Sequence, residues 1–192
     1  MEVAAGLLRQ ARRTAGLSQR DLASRAGVSQ PTVAAAETGA HDPGVARLER
    51  LLLPAGHRLT VLPTQSRTAA DAADAVFLRL RQGDEERAFR EVIQLSDALC
   101  RESGAVRVAL TVTKPAPVGD RRYDAFIAAV VEHHLRSDGL PLPTWLSDPT
   151  RILTEPWFVD PASGVEDLVR SSTSESFARR NVFMSVSELE SV

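Results

Sequence analysis

Arginine side chains are the groups in the first third of this chain that are best suited to bind a ligand. Residues 1–62 contain eight arginines and five acidic residues, a net charge of +3, whereas the remainder contains 15 basic and 20 acidic residues, a net charge of −5. Guanidinium groups bind phosphate, so we expect the basic segment to contact a nucleic-acid backbone. The acidic remainder is expected to face a protein. The candidates for phosphate contact are Arg9, Arg13, Arg20 and Arg25.

Side chains that could support catalysis or metal binding are sparse. His133 and His134 are adjacent, and neighbours on a helix point about 100° apart, which suits one metal ion poorly. The sequence has no G-x-S-x-G motif, no phosphate-binding loop and no Gly-Ser signature with spaced aspartates. The single cysteine, Cys100, permits no intrachain disulfide and is expected to be a buried core residue, with redox sensing as the alternative. We therefore expect no enzyme activity, no cofactor and no metal.

The stretch from Leu17 to Gly39 has the sequence pattern of two short helices joined by a tight turn. Ser18 and Ser29 are placed to cap the two helices, and Gly27 and Gly39 are placed to end them. Pro31 falls in the first turn of the second helix, where its missing N–H is tolerated. This order of caps and glycines is typical of a helix-turn-helix, whose second helix enters the major groove of duplex DNA.

The flanking elements complete a small domain. A helix is predicted over residues 3–15, ended by Gly16, and another over residues 44–53. The second of these has Val45, Leu48, Leu51 and Leu52 at helical spacing. Residues 57–62 alternate polar and apolar side chains, which predicts a short β-strand. That strand either pairs with a second copy of the chain in a homodimer or packs as an extended segment.

Residues 6–62 resemble a helix-turn-helix domain of the Xre family, which has the lambda-repressor-like fold. The resemblance rests on Leu17-Ser18-Gln19, Leu22-Ala23, Ala26-Gly27-Val28-Ser29, Thr32-Val33 and Glu37-Thr38-Gly39. It implies that Ser29, Gln30, Thr32 and Ala35 face the bases, that Gln19 contacts a phosphate, and that Arg12 and Glu37 form a structural ion pair. Gln30 could pair with adenine, and Pro31 and Thr32 could contact a thymine methyl group. The predicted DNA-binding residues are Gln19, Arg20, Ser29, Gln30, Pro31, Thr32, Ala35 and Arg13.

The run Ala34-Ala35-Ala36 leaves much of the second helix without hydrogen-bonding side chains. One copy therefore has little direct base readout. Specificity would need a dimer on two half-sites or recognition of DNA shape.

The rest of the chain, residues 68–192, is predicted to be a helical domain with an irregular tail, joined by a linker at residues 63–67. Helices are expected over about 68–82, 84–102 and 120–136, with the first two forming an antiparallel pair. The first should bury Ala72, Ala75, Val76, Leu78 and Leu80. Residues 106–112 fit either a strand or a short helix. The overall class is mainly α.

Large aromatic side chains and prolines mark the tail after Gly139. Parts of this region resemble bacterial, mostly actinobacterial, Xre proteins encoded beside nucleotidyltransferase-like toxins. The matching segments are Asp120-Arg121-Arg122-Tyr123-Asp124-Ala125, Gly139-Leu140-Pro141, Trp145, Glu155-Pro156-Trp157-Phe158-Val159 and Ser176-Phe177-Ala178-Arg179-Arg180-Asn181-Val182-Phe183. The resemblance implies an antitoxin, with Trp145, Trp157, Phe158, Arg179, Arg180 and Phe183 as candidate contacts to the toxin. Ser187 is placed to cap a last short helix.

The functional expectation is a sequence-specific double-stranded DNA-binding protein. It would be the antitoxin and autorepressor of a toxin–antitoxin pair, and a homodimer. The alternative is a stand-alone transcriptional regulator whose C-terminal domain dimerises or senses a ligand. No apolar run approaches the ~20 residues of a membrane span and no signal peptide is evident, so we expect a cytoplasmic protein.

Overall fold

The computed structural model describes residues 2–159, 166–185 and 189. The chain divides into two compact units, Met1–Leu62 and Pro63–Val192. No helix among the described residues combines the length and apolar character needed to cross a membrane. The predicted helix cap at Ser187 lies outside the described residues.

Four helices form the N-terminal unit. They are α1 (Glu2–Thr14), α2 (Gln19–Ala26), α3 (Gln30–Thr38) and α4 (Val45–Leu52), followed by a single 3-10 turn at Leu53–Ala55. Their core is apolar, and its centre is formed by Leu8, Leu22, Val33 and Leu51, none of which has solvent exposure. The helices predicted from the sequence are therefore present.

Two details of the N-terminal unit differ from expectation. Val45 is 76% exposed, because it is the first residue of α4 and lies off the face formed by Leu48, Leu51 and Leu52. Residues 57–62 do not pair as a strand with any described residue of the same chain, and pairing with a second copy stays a prediction. Leu59 packs partly against the core while Val61 is 96% exposed, which matches the alternative of an extended segment.

The C-terminal unit contains most of the helices. They are α5 (Ala69–Arg81), α6 (Glu85–Arg101), α7 (Gly104–Val112), α8 (Arg121–Ser137), α9 (Glu166–Ser172) and α10 (Glu175–Ala178), with 3-10 turns at Thr144–Ser147 and Pro149–Arg151. Strands β1 (Trp157–Phe158) and β2 (Val182–Phe183) form a two-stranded parallel sheet. The helix α8 is central, because most of its residues are buried, including Phe126, Ile127, Val130 and Val131.

Local capping signals place the helix starts in this unit. Thr68 and Asp71 form a reciprocal capping box at α5, in which the Thr68 Oγ1 accepts from the Asp71 N–H at 3.1 Å. Asp84 accepts from the Arg87 N–H at 3.0 Å, and Asp120 accepts from the Arg122 N–H at 2.8 Å. The helices predicted after these residues are therefore confirmed.

The segment at residues 106–112, which the sequence left open, is helical. Its alternating pattern misleads because two polar side chains on it are buried, Arg107 and Thr111, at helical spacing with Leu110. The Arg107 guanidinium donates to the carbonyls of Glu102 at 2.9 Å and His134 at 3.0 Å. Burial of a polar side chain is compatible with this position because its donors are satisfied.

Two side chains expected in the interior lie on the surface. Cys100 is exposed because the inward face of α6 passes through the neighbouring Leu99. Leu78 is 57% exposed, since α5 packs through Ala72, Ala73 and Val76 instead.

A buried cluster of charges holds the tail onto α8. Glu132, with a side chain 3% exposed, pairs with Arg180, which is equally buried, and with Arg136 at 2.7 Å and Arg179 at 3.3 Å. Arg180 also donates to the Leu146 carbonyl at 3.0 Å. An isolated charge in this position would be costly, so the pairing is required for the fold.

We expect Glu132→Ala to destabilise the C-terminal unit by about 3–5 kcal/mol, because it leaves the buried Arg180 without its counter-ion. The loss is measured as a shift of the urea unfolding transition of the full chain, followed by circular dichroism and tryptophan fluorescence. Both tryptophans lie in this unit, which makes fluorescence specific for it. The control is Glu86→Ala, which removes an exposed i,i+4 pair with Arg90 and should change little. Equal shifts in the two variants would contradict the structural role of Glu132.

Candidate nucleic-acid interface

The turn between α2 and α3 is set by local backbone chemistry. Ser18 and Asp21 form a reciprocal capping box at the start of α2, with both bonds at 3.1 Å. Gly27 ends α2 with a φ of 66°, a left-handed conformation that favours glycine, and the Val28 N–H then donates to the Ala23 carbonyl at 3.0 Å. The two helices are thereby held at a fixed angle around a partly buried Val28.

The start of α3 differs slightly from the prediction. Ser29 occupies the N-cap position, but its side chain makes no capping hydrogen bond. Its hydroxyl instead lies 2.9 Å from that of Thr32, and Pro31 is in the first turn as predicted. The N-terminal end of α3 therefore presents a pair of linked hydroxyl groups beside the exposed Gln30.

A buried carboxylate ties α3 to the two preceding helices. Glu37 is 2% exposed, and its Oε1 and Oε2 accept from the Arg12 guanidinium at 2.6 and 3.0 Å. Arg12 also donates to the Leu17 carbonyl at 2.8 Å, and Arg9 donates to the backbone carbonyl of Glu37. The expected structural role of Arg12 and Glu37 therefore agrees with the geometry, and Arg9 shares in it.

The same carboxylate orients two glutamines at the surface. Gln19 donates from Nε2 to the Glu37 Oε2 at 2.8 Å, and its Oε1 accepts from the Gln30 Nε2 at 2.9 Å. Both the Nε2 and the Oε1 of Gln19 therefore have hydrogen-bond partners within the chain. Gln30 keeps one N–H and its Oε1 without a partner in the part of the chain that the structure describes. A neighbouring donor and acceptor on one amide match the N7 and N6 edge of adenine.

The pKa of Glu37 reflects this environment. Burial alone would raise it, but hydrogen bonds from Arg12 and Gln19 and the positive charge of Arg12 hold the pKa below its ordinary value of 4.5. The carboxylate is therefore ionised near neutral pH, and it can accept all of these hydrogen bonds.

The predicted phosphate contacts lie on the surface. Arg13 and Arg20 are exposed and make no hydrogen bond or salt bridge to any described side chain, and the same is true of Arg25. Their guanidinium groups are therefore available to an anion. Thr32 and Ala35 are half-buried on α3, and Pro31 is exposed. The structure thus brings Gln19, Ser29, Gln30 and Thr32 together, and it places no hydrogen-bonding side chain at Ala35.

Residues 4–54 match a family model described as a helix-turn-helix domain. The N-terminal unit is a helix-turn-helix domain. A domain of this kind indicates sequence-specific DNA binding, with α3 as the recognition helix. No curated protein and no solved structure was found to match the chain.

The candidate partner contacts of the C-terminal unit fall into two groups. Trp145, Arg180 and Phe183 are interior residues: the Trp145 Nε1 donates to the Thr111 carbonyl at 2.9 Å, and Phe183 stacks on Phe158 with ring centroids 5.3 Å apart. These three side chains are therefore buried within the C-terminal unit, and their role as partner contacts stays a prediction.

The remaining partner candidates are at least partly accessible. Trp157 is half-buried, with its ring 5.7 Å from that of Tyr123 and beneath the Arg122 guanidinium. Phe158 is half-buried beneath Arg170, and Arg179 is exposed. Their role as partner contacts stays a prediction. Among the described residues, no group of three or more His, Cys, Asp or Glu side chains could hold a metal ion.

Acid should weaken the N-terminal unit through Glu37. A carboxylate with a lowered pKa in the folded state contributes stability that is complete above its ordinary pKa of 4.5 and is lost as the pH falls through the lower, folded value. We therefore expect the free energy of unfolding of this unit to fall as the pH is lowered below about 4.5.

The measurement is chemical unfolding of Glu37→Gln and the unchanged protein across this pH range, with hydrogen exchange assigning the signal to α1–α3. Glu37→Gln should be less stable near pH 7 and should show a shallower dependence on acid. Glu49→Gln, which lies on α4 outside the network, is the control. An unchanged acid dependence in Glu37→Gln would contradict the role given to this carboxylate.

Proposed function

We propose that this protein is a sequence-specific double-stranded DNA-binding transcriptional repressor that reads its operator with the N-terminal end of α3. The observation that supports this most directly is the amide of Gln30, whose Nε2 donates to the Gln19 Oε1 at 2.9 Å and which keeps a second N–H and its Oε1 without a partner among the described residues. Rigid presentation reduces the entropy lost when a side chain is ordered on a base. Gln19 contributes twice: its side chain supports Gln30, and its backbone N–H at the start of α2 would contact a phosphate.

Exposed arginine side chains would give this interface affinity for any DNA sequence, because they bind the phosphate backbone. Arg13, Arg20 and Arg25 are exposed, and the N-terminal unit carries an excess of positive charge. Phosphate contacts of this kind position a protein on duplex DNA and release counter-ions. Specificity then depends on few groups, because Ala34, Ala35 and Ala36 provide no hydrogen bonds from their side chains. Two copies on two half-sites would double the readout, so the proposal includes a homodimer.

Two substitutions should separate base reading from phosphate binding. Gln30→Ala should cost about 1–3 kcal/mol of binding at one base pair of each half-site and relax the preference for adenine there. Arg13→Ala should weaken binding to all sequences and reduce the slope of log K against log salt by about 1.

The measurement is a gel-shift titration on the protein's own upstream DNA and on single-base variants, at several salt concentrations. Arg58→Ala, in the extended segment after α4, is a matched control for the loss of one arginine charge. The same loss on every sequence for Gln30→Ala and Arg13→Ala would show that the two roles are wrongly assigned.

We further propose that the protein is the antitoxin of a toxin–antitoxin pair and represses its own promoter. The support is the resemblance of segments in the C-terminal unit to Xre proteins encoded beside nucleotidyltransferase-like toxins, together with the net negative charge of this unit. Contact with the toxin would use the accessible candidates Trp157, Phe158 and Arg179. The protein would act by binding, without catalysis of its own. The alternative, a stand-alone regulator, shares the same DNA interface.

Co-expression tests the antitoxin proposal. A neighbouring reading frame with a nucleotidyltransferase signature should arrest growth when it is expressed alone, and the full-length protein should relieve the arrest. Gln30→Ala should still relieve it while repressing the promoter poorly, because the two activities use different units. Growth arrest that persists in the presence of the protein would leave the stand-alone regulator as the function.

A further inference from the structure

An exposed apolar pair lies on the outer face of α5. Phe77 is 38% exposed and its neighbour Leu78 is 57% exposed. The helix packs onto its own unit through the opposite side, formed by Ala69, Ala72, Ala73 and Val76. Covering two adjacent exposed apolar side chains with another surface is favourable, because it removes their apolar area from water.

Opposite charges stand on either side of this pair. Asp74 and Arg81 occupy the positions three or four residues away, so that residues 74, 77, 78 and 81 share one helical face. In the described part of the chain, Asp74 has no hydrogen bond or salt bridge, and Arg81 has no carboxylate partner. The Arg81 guanidinium lies 5.7 Å from the centre of the Phe77 ring. Arg79, on the adjacent face, is by contrast paired with Glu91 at 3.2 Å.

The order of these four residues is self-complementary. In an antiparallel pair of α5 helices whose two-fold axis passes between Phe77 and Leu78, Phe77 lies opposite the partner's Leu78. The same axis places Asp74 opposite the partner's Arg81 at one end of the helix pair, and Arg81 opposite the partner's Asp74 at the other end. A two-fold interface requires one surface to complement itself in this way.

We propose that this face of α5, defined by Asp74, Phe77, Leu78 and Arg81, is the interface between two copies of the chain. The apolar pair forms its centre and the two ion pairs form its rim, which is the usual division in protein interfaces. A partner of different sequence would not require both signs of charge at matched distances from the centre, so the pattern favours a second copy.

The interface is small. The helix has 13 residues and is about 20 Å long, so the area it can bury is at the low end for specific complexes. We expect a weak dimer that forms with rising protein concentration. The helix begins at residue 69, seven residues after the N-terminal unit ends. Pairing would therefore raise the effective concentration of a second helix-turn-helix unit, a consequence that rests on the proposed function.

The first test is the mass of the full-length protein in solution without DNA, followed by sedimentation across the micromolar range. The unchanged protein should approach twice its monomer mass as the concentration rises. Leu78→Glu should weaken the dimer by at least about tenfold, because it places a charge in the apolar centre. Leu168→Glu is the matched control, since Leu168 is 68% exposed on α9, and it should behave as the unchanged protein does.

The second test exchanges charges between copies. Asp74→Arg alone and Arg81→Asp alone should each be folded monomers, because like charges then face each other at both ends. An equimolar mixture of the two variants should recover the dimer, since each arginine now faces an aspartate of the other variant. Circular dichroism establishes that each variant is folded before the masses are compared.

Three results would overturn the inference: an unchanged protein that stays monomeric, single charge variants that still dimerise, or a mixture that stays monomeric. These outcomes are independent of DNA binding. A dimer that binds all DNA sequences equally counts against the proposed function alone. A monomer that binds DNA selectively counts against the α5 interface and against the homodimer of the proposed function, and it leaves base reading by α3 in place.

Discussion

Burial of the Glu37 carboxylate is the constraint on which the N-terminal unit depends. A carboxylate removed from water is stable only when its oxygens are paired, and two other helices supply the partners. Arg12 comes from α1, Gln19 from α2, and Glu37 itself from α3. The group that holds the helices together is also the group that fixes Gln19, and through it Gln30. The buried Glu37 carboxylate and the surface glutamines Gln19 and Gln30 are therefore one hydrogen-bonded network.

In the C-terminal unit, buried arginine side chains donate hydrogen bonds to backbone carbonyls. The irregular segments of this unit contain backbone carbonyls that no regular helix or sheet would satisfy, and buried arginines join these segments to each other and to α8. Arg151 donates to the carbonyls of Pro115 at 2.6 Å and Asp124 at 3.3 Å, and Arg180 donates to that of Leu146. Each guanidinium has five donors in a fixed plane, so one side chain can bridge several loops. Charge in this unit is thus partly structural.

Sequence reasoning succeeded where the cause is local. Ser18, Thr68, Asp84 and Gly27 set helix ends through bonds within a few residues, and the sequence shows those residues directly. The prediction of burial failed where contacts between residues far apart in the sequence determine it. Arg107 is buried because distant carbonyls accept its protons, and the exposure of Leu78 depends on which side of α5 meets α6 and α8.

The candidate site follows the same division. The residues at the start of α3 were predictable from the turn pattern, because the pattern itself creates that end of the helix. The bond from Gln19 to Glu37 was not, since it joins residues far apart in sequence and depends on the orientation of one amide. The burial of Trp145, Arg180 and Phe183 could not be predicted either. An apolar or basic side chain in a proline-rich segment gives the same sequence pattern whether it is buried in the protein or exposed to solvent.

The alanines of α3 determine which positions of this domain can accept substitutions during evolution. Ala34 and Ala35 are half-buried and take no part in the Glu37 network, whereas Ala36 is in the core. A polar side chain at either of the first two positions would meet solvent or DNA without disturbing the anchor. Under the proposed function, new operator preferences can therefore evolve by single replacements at these two positions, because the Glu37 network that stabilises the unit lies elsewhere.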